Sequence, residues 1–177
     1  LGDQNGEENR QRVLRDAAEV GCRRVFSPIL KHGSSVVCVT PDLLDRKTIV
    51  ADGAVTDLDY ACLTVTGADC SPLFAYDPKR RVFGVAHSGW KSTEGYIASN
   101  LISAFCKYGS RPRDIRVAIG PGICGKCYEV GEEAAEFFRE DSLLRRYVLL
   151  HLVSGKTTHW FLDLPRMIRA QLEEDSV

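Results

Sequence analysis

Apolar residues along the chain follow two periods, one typical of helices and one of strands, and the two alternate. Over 8–20, helical spacing puts Val13, Leu14, Ala17 and Ala18 on one face, and Gly21 is expected to end that helix. Further helices are predicted over 92–108, 132–139, 143–147 and 163–174. Runs rich in β-branched and aromatic residues predict strands at 35–40, 61–66, 73–76, 81–86 and 115–119, and a hairpin formed by 148–153 and 158–162.

This alternation determines the expected fold class. Strands interspersed with helices, together with one strong hairpin, predict an α/β (or α+β) fold in which a mixed sheet is layered with helices. A length of 177 residues is enough for one hydrophobic core and predicts a single domain, 1–177.

Charge and composition restrict the partners. The 23 basic and 24 acidic side chains give a formal net charge of −1, which offers no footprint for nucleic acid or an anionic membrane. No apolar run approaches the roughly 20 residues of a membrane helix. The cysteines are odd in number and follow no disulfide framework, which favours reduced thiols and a cytoplasmic location. They are Cys22, Cys38, Cys62, Cys70, Cys106, Cys124 and Cys127.

Candidate chemistry gathers at His32, Cys70 and His87. Two imidazoles and one thiol suit zinc or copper, and three protein ligands leave one coordination position for water or substrate. The strands predicted at 61–66 and 81–86 run toward Cys70 and His87, so both residues are expected at the carboxyl edge of a sheet, with His32 joining from the side. The alternative is two ordinary histidines and a cysteine that serves as a small buried apolar residue.

Cys124 and Cys127 form a Cys-x-x-Cys pair, a spacing found in both redox sites and zinc sites. No second such pair completes a four-thiolate site. We therefore predict that replacing both cysteines leaves the bound metal in place, while the two thiols keep the ability to form a disulfide. Four histidines without a His-x-His pair, and a single methionine at Met167, argue against a multicopper oxidase.

Five stretches of the sequence carry a family resemblance. They are Asp-Gly-Ala-Val-Thr-Asp at 52–57, Thr-Gly-Ala-Asp-Cys-Ser-Pro-Leu at 66–73, Gly-Val-Ala-His-Ser-Gly-Trp-Lys at 84–91, Gly-Pro-Gly-Ile at 120–123 and Cys-Tyr-Glu-Val at 127–130. The chain resembles the YfiH-like, laccase-domain family of purine nucleoside phosphorylases, formerly called polyphenol oxidases, and especially its animal laccase-domain-containing branch. The resemblance implies a metal held by His32, Cys70 and His87, although Leu30 and Lys31 stand where the family has Gln-Val.

The resemblance also implies a zinc-dependent enzyme, with copper as the second candidate metal, in which the three metal ligands are the catalytic residues. Its substrates would be purine nucleosides and phosphate, with phosphorolysis of adenosine, inosine and methylthioadenosine, and deamination of adenosine. For phosphate we expect Lys91, Ser92 and Thr93, where a helix start combines N–H groups, hydroxyls and a cation. The alternative there is a simple helix cap. Asp69 is expected either to orient a metal-bound histidine or to cap the end of a strand.

Two other functions remain open at this point. A metal-free cysteine hydrolase or deamidase would use Cys70 as nucleophile and His87 as base, and would keep its activity in a chelator. A regulatory module that kept the fold and lost the chemistry is the other, favoured by the altered residues before His32. The chain runs from Leu1 to Val177, and against the family we expect N- and C-terminal segments to be missing.

Overall fold

A computed structural model describes residues 3–46, 48–153 and 157–177, and a five-stranded sheet forms its centre. The strands in chain order are β1 (Arg24–Phe26), β2 (Val36–Cys38), β3 (Gly53–Thr56), β4 (Ala61–Leu63), β5 (Ser71–Asp77), β6 (Val82–Ser88), β7 (Arg116–Ile119), β8 (Glu129–Val130), β9 (Val148–Val153) and β10 (Thr157–Leu162). The helices are α1 (Asp3–Glu19), α2 (Pro41–Leu44), α3 (Trp90–Glu94), α4 (Ile97–Lys107), α5 (Glu132–Glu140) and α6 (Leu164–Glu174). Short 3-10 turns lie at Pro112–Asp114 and Arg145–Tyr147.

The central sheet is mixed, as the alternation of elements predicts. Its order is β2-β3-β6-β5-β7, with β2 and β3 parallel and every other neighbouring pair antiparallel. In the register of β5 and β6, Pro72 lies opposite His87, so the beginning of β5 lies beside the end of β6. This antiparallel pairing positions the candidate site.

One face of the central sheet packs against α4 and α6. The fully buried side chains of this layer include Val55, Leu73, Leu101, Phe105 and Ile168. Gly84 on β6 permits the close approach of α4, because a Cβ at that position would lie 2.8 Å from Cε2 of Phe105. The buried face predicted for 92–108 is therefore confirmed over α4.

The opposite face and one end of the sheet carry two smaller layers. A two-stranded parallel sheet of β1 and β4 packs through Phe26 and Leu63 against Val39 and Ala54. A three-stranded sheet, β8-β10-β9, forms a further core with α5 and α6 around Phe138. Within the described ranges, no helix combines the length and the apolarity needed to cross a membrane.

Local signals predict the C-terminal elements well. β9 and β10 pair antiparallel as expected, although the connecting residues 154–156 lie outside the described ranges. Asp163 caps α6 by accepting the backbone N–H of Arg166, and Pro165 occupies the first turn.

Gly21 has φ +84°, the left-handed conformation expected of the residue that follows a helix. The helix before it, α1, begins at Asp3, earlier than predicted.

Three predicted elements are corrected. The strand predicted at 61–66 ends at Leu63 and pairs with β1 outside the central sheet. The helix predicted over 92–108 divides into α3 and α4, because Tyr96 between them adopts a left-handed backbone with φ 58°. The helix predicted at 143–147 is a short 3-10 turn.

Candidate metal centre

His87 occupies the end of β6 and is only 4% exposed. Its Nδ1 lies 2.7 Å from the carbonyl oxygen of Thr66. Because a carbonyl only accepts hydrogen bonds, Nδ1 must carry the proton, which leaves a lone pair on Nε2. Nε2 is buried and has no hydrogen-bond partner within the described residues. A buried, unpaired imidazole nitrogen of this kind fits a metal ligand.

Cys70 comes directly before β5, and its thiol is half-buried. The antiparallel pairing of β5 with β6 brings it beside His87. The expectation that Cys70 and His87 meet because each ends a strand is therefore wrong in its reason, since Cys70 begins one. Gly89 provides the space between the two donors: a Cβ there would lie 2.7 Å from Sγ of Cys70 and 3.7 Å from Nε2 of His87.

His32 lies in the exposed loop before β2, and its ring contacts that of His87 edge-on, with the centroids 4.9 Å apart. Its backbone has φ 57°, a left-handed conformation that is strained for a residue with a side chain. A constraint nearby holds this loop: the Lys31 N–H donates to Oδ1 of Asp52 at 2.9 Å.

Asp52 also contacts the strand that carries His87. Its backbone carbonyl accepts the N–H of His87 at 2.7 Å, and Asp52 itself is 1% exposed. One buried residue thus connects the segments that carry the two histidines. In the sequence Asp52 is visible only as part of the motif at 52–57, and nothing local indicates that its carboxylate holds the loop before His32.

The structure brings His32, Cys70 and His87 together. One ligand atom from each lies within 4.8 Å of the others, and in the part of the chain that the structure describes no other group of three such residues does so. A single ion with bonds of about 2.0–2.3 Å needs its donors closer together than this 4.8 Å limit.

The electrostatics of the site weaken the thiol as a free nucleophile. Burial raises the pKa of the Cys70 thiol above its usual value, and the carboxylate of Asp69 raises it further. The pKa of Tyr128 is raised by burial and then by Cys70 and Asp69, which places this tyrosine beside the centre. Sequence reasoning did not single out Tyr128, although it lies within the motif at 127–130.

A cavity of about 310 Å³ opens beside two of the three donor residues, His32 and Cys70. It is lined by Lys31, His32, Cys70, Gly89, Trp90 and Lys91. Small-molecule sites typically occupy about 300–1,000 Å³, so this cavity is large enough for a compact ligand. A larger cavity, about 580 Å³, lies between β7 and α6, but no histidine or cysteine lines it.

The structure differs from the sequence-based expectation for part of the phosphate site and for Asp69. Ser92 and Thr93 are fully buried, and the Thr93 hydroxyl donates to the carbonyl of Gly89 at 2.8 Å, so neither hydroxyl reaches the cavity. Of the predicted phosphate site, Lys91 alone lines the cavity. Asp69 does not orient His87, because the Thr66 carbonyl occupies Nδ1.

Cys124 and Cys127 lie outside the cluster of three donors. They occupy the exposed loop between β7 and β8. In the same loop, Gly120, Gly122 and Gly125 have the spacing of a dinucleotide-binding motif. That motif requires a following helix, whereas this loop leads into a turn and β8.

Sequence comparison agrees with this architecture. A family model described as "Multi-copper polyphenol oxidoreductase laccase" matches residues 2–177. The chain belongs to this laccase family. The laccase-family chain is 43% identical, over 122 residues, to a purine nucleoside phosphorylase from Deinococcus radiodurans, a match that covers 69% of this chain and 46% of that protein. It is 37% identical over 122 residues to adenosine deaminase RL5 from an unknown prokaryotic organism, covering 68% of this chain and 45% of that protein.

Solved structures confirm the YfiH-like fold of this laccase-family chain. The crystal structure of the hypothetical protein YfiH from Bacillus licheniformis superposes with a TM-score of 0.77 at 27% identity. The superposition covers 91% of this chain and 63% of that one. The chain spans about half the length of the curated relatives it matches, the phosphorylase from Deinococcus radiodurans and adenosine deaminase RL5.

Proposed function

We propose that this chain carries the metal centre of an enzyme that acts on purine nucleosides. The observation that supports this most directly is the buried, unpaired Nε2 of His87, which lies close to His32 and Cys70, two residues that line an open cavity. The names of the relatives, a purine nucleoside phosphorylase and an adenosine deaminase, supply the substrate class.

The donor set favours zinc, with copper as the second candidate. Two imidazole nitrogens and one thiolate are common ligands of catalytic zinc, and a three-residue set leaves a position open toward the cavity. When bound, such an ion supplies Lewis acidity that makes water a nucleophile at neutral pH. A single cluster of three donors within the described residues does not provide the several copper sites of a multicopper oxidase.

The cavity residues suit the parts of a nucleoside and its co-substrate. Trp90 lines the cavity with an aromatic side chain that can contact a purine ring. Lys31 and Lys91 place two cations at the cavity, where they can neutralise phosphate. Lys91 lies with Nζ 5.3 Å from the centroid of the Trp90 ring, so the purine and phosphate positions are adjacent. His87 is held in a single tautomer by Thr66 and does not depend on the substrate for its orientation.

We propose two reactions for this site, both suggested by the names of the relatives. In phosphorolysis, phosphate replaces the base of adenosine, inosine or methylthioadenosine, which releases the free base and a sugar 1-phosphate. In deamination, water replaces the amino group of adenosine, which yields inosine and ammonia. Both need a nucleophile delivered beside a bound purine, and Cys70, His87 and His32 are the residues we assign to that task.

The competing cysteine hydrolase receives less support. A nucleophilic cysteine needs a pKa below its ordinary value, whereas burial and Asp69 raise the pKa of Cys70.

We also place the enzyme in the cytoplasm, because all seven of its cysteines are free thiols.

Elemental analysis combined with a nucleoside assay tests the proposal. We expect about one equivalent of zinc in the purified chain and its loss from His87→Ala. Adenosine, inosine and methylthioadenosine are incubated with and without phosphate, and free base and inosine are measured. We expect turnover that a chelator abolishes and zinc restores, and a raised KM for phosphate in Lys91→Ala. Turnover that persists in a chelator would support the cysteine hydrolase, and bound metal without any turnover would support a silent module.

A further inference from the structure

A second thiol site lies in the loop between β7 and β8. Cys124 and Cys127 are both exposed, and their Sγ atoms lie 2.7 Å apart, in hydrogen-bond contact. The backbone holds them there: the N–H groups of Cys127 and Tyr128 both donate to the carbonyl of Cys124, at 2.9 and 3.1 Å. A closed backbone turn therefore holds the two cysteine residues next to each other.

Contacts on both sides fix this turn to the rest of the fold. The N–H of Ile123 donates to the carbonyl of Asp69 at 2.8 Å. Gly125 is buried against the residue that caps α6, since a Cβ there would lie 2.6 Å from Cγ of Asp163. A turn anchored at both ends loses little further freedom when its two sulfur atoms become bonded.

The two thiols have different acidities, as the partners of a redox pair commonly do. The pKa of Cys124 is lowered by its hydrogen bond with the Cys127 thiol and then by the backbone of Lys126. The pKa of Cys127 is raised by the same contact with Cys124. Cys124 is thus the thiol that attacks, and Cys127 the thiol that resolves.

We propose that Cys124 and Cys127 form a thiol–disulfide exchange site, separate from the metal centre, which a low-molecular-weight disulfide of the glutathione class oxidises to an intramolecular disulfide. The site does not depend on the function assigned to the metal centre. In the reducing cytoplasm it rests as a dithiol and becomes oxidised when the ratio of disulfide to thiol rises.

The exchange takes two steps. The Cys124 thiolate attacks one sulfur of the small disulfide, whose S–S bond breaks, and one small thiolate leaves and takes up a proton. Cys127 then loses its proton to water and attacks the Cys124 sulfur of the mixed disulfide, releasing the second small thiolate. Two protein thiols are oxidised by two electrons, and one small disulfide is reduced to two thiols.

Two other cysteines serve as internal references. Cys70 is half-buried and belongs to the cluster of three metal donors, so in the zinc-loaded chain it should react slowly. Cys106 is exposed on α4 and contacts no other thiol within the described ranges, so it can only form a mixed disulfide. An exposed thiol without a neighbouring thiol, such as Cys106, therefore cannot give the intramolecular disulfide predicted for Cys124 and Cys127.

The test is incubation of the zinc-loaded chain in glutathione buffers of increasing oxidised fraction, followed by rapid alkylation and mass spectrometry. All of these variants are made in a chain that also carries Cys106→Ser, because the exposed Cys106 would otherwise form its own mixed disulfide. We expect a product that has lost two hydrogen atoms and carries no glutathione, with a peptide crosslink between Cys124 and Cys127. In Cys127→Ser we expect one stable glutathione on Cys124, and in Cys124→Ser a reaction with glutathione disulfide about tenfold slower.

Metal content provides the second measurement. The double variant Cys124→Ser/Cys127→Ser should retain all of its zinc, since neither residue belongs to the cluster of three donors. A stable mixed disulfide in the chain that retains both cysteines would overturn the proposal, as would a crosslink to Cys70. Loss of zinc from the double variant would instead identify the pair as metal ligands.

Discussion

The two ring nitrogens of His87 have opposite environments, and this difference is the most specific feature of the site. Nδ1 is committed to the Thr66 carbonyl, while Nε2 is buried without a partner. A buried polar atom that lacks a hydrogen bond costs about 1–3 kcal/mol, which a bound ion would recover. The free energy left unsatisfied here therefore favours metal binding at this position.

Substitution of Cys70 distinguishes a ligand from a nucleophile. Carboxylate oxygen binds zinc at a distance close to that of other ligands, so Cys70→Asp should retain zinc with reduced affinity and keep measurable, zinc-stimulated turnover. Cys70→Ala and His87→Ala should lose both metal and activity. Metal content and turnover are measured on the same preparations. A covalent adduct of Cys70 trapped during turnover of metal-free protein would contradict the ligand role.

Gly89 is a residue whose missing side chain has a function. A methyl group at this position would lie 2.7 Å from Sγ of Cys70, well inside contact distance. Overpacking of this kind costs about 1–3 kcal/mol, so Gly89→Ala should weaken zinc binding about tenfold or more. Chelator competition measures the affinity. The matched control is Glu94→Ala. Glu94 is the exposed last residue of α3, the helix that begins directly after Gly89, and this variant should bind zinc normally. Equal affinity in the two variants would show that the site does not need this space.

At the scale of elements, the metal centre depends on the antiparallel pair β5 and β6 and on β3, the antiparallel neighbour of β6. β5 and β6 bring Cys70 to His87, and Asp52, immediately before β3, holds the loop of His32. The left-handed backbone of His32 needs such support, because a strained conformation persists only where the surroundings enforce it.

Asp52 can be tested as a positioning residue. Asp52→Ala removes the acceptor for the Lys31 N–H, and loss of an outer partner of this type typically costs about 10- to 100-fold in metal affinity. Asp52→Asn retains an acceptor oxygen of the same size and should recover most of the affinity. Zinc affinity is measured beside thermal unfolding, which separates a loosened loop from a destabilised fold. If Asp52→Ala binds zinc as tightly as the parent chain, the loop does not depend on this contact.

At the scale of the whole molecule, the sheet and α4 form the support on which the site is built. Phe105 is fully buried and fills the space that Gly84 leaves on β6. His87 lies at the end of the same strand, so the cluster of donors is attached directly to this buried layer.

Truncation of Phe105 should show this support. Phe105→Ala creates a cavity against β6 and should lower the free energy of unfolding by about 3–5 kcal/mol. The adjacent, exposed Cys106→Ser should change it by no more than about 0.5 kcal/mol. Urea denaturation of the two variants provides the comparison. A small effect at Phe105 would mean that α4 contributes little to the stability of the sheet.

The sequence by itself determined the features that short segments encode. Helical spacing predicts the buried face of α4, and the Asp163 cap with Pro165 predicts α6, because both depend on residues within a few positions of one another. Residue type identified His32, Cys70 and His87 as candidates, and their local motifs indicated the family before any coordinates.

Only the tertiary structure decided how these residues meet. A strand pattern reports which faces are apolar but not which strand is the neighbour. The strand at 61–66 was therefore expected to carry Cys70 to His87, whereas β5 is the strand that pairs with β6 and follows Cys70. The support from Asp52 comes from a residue remote in sequence from both histidines. Ser92 and Thr93 belong to an attractive local motif, yet packing buries them, because burial depends on what the rest of the chain places against a residue.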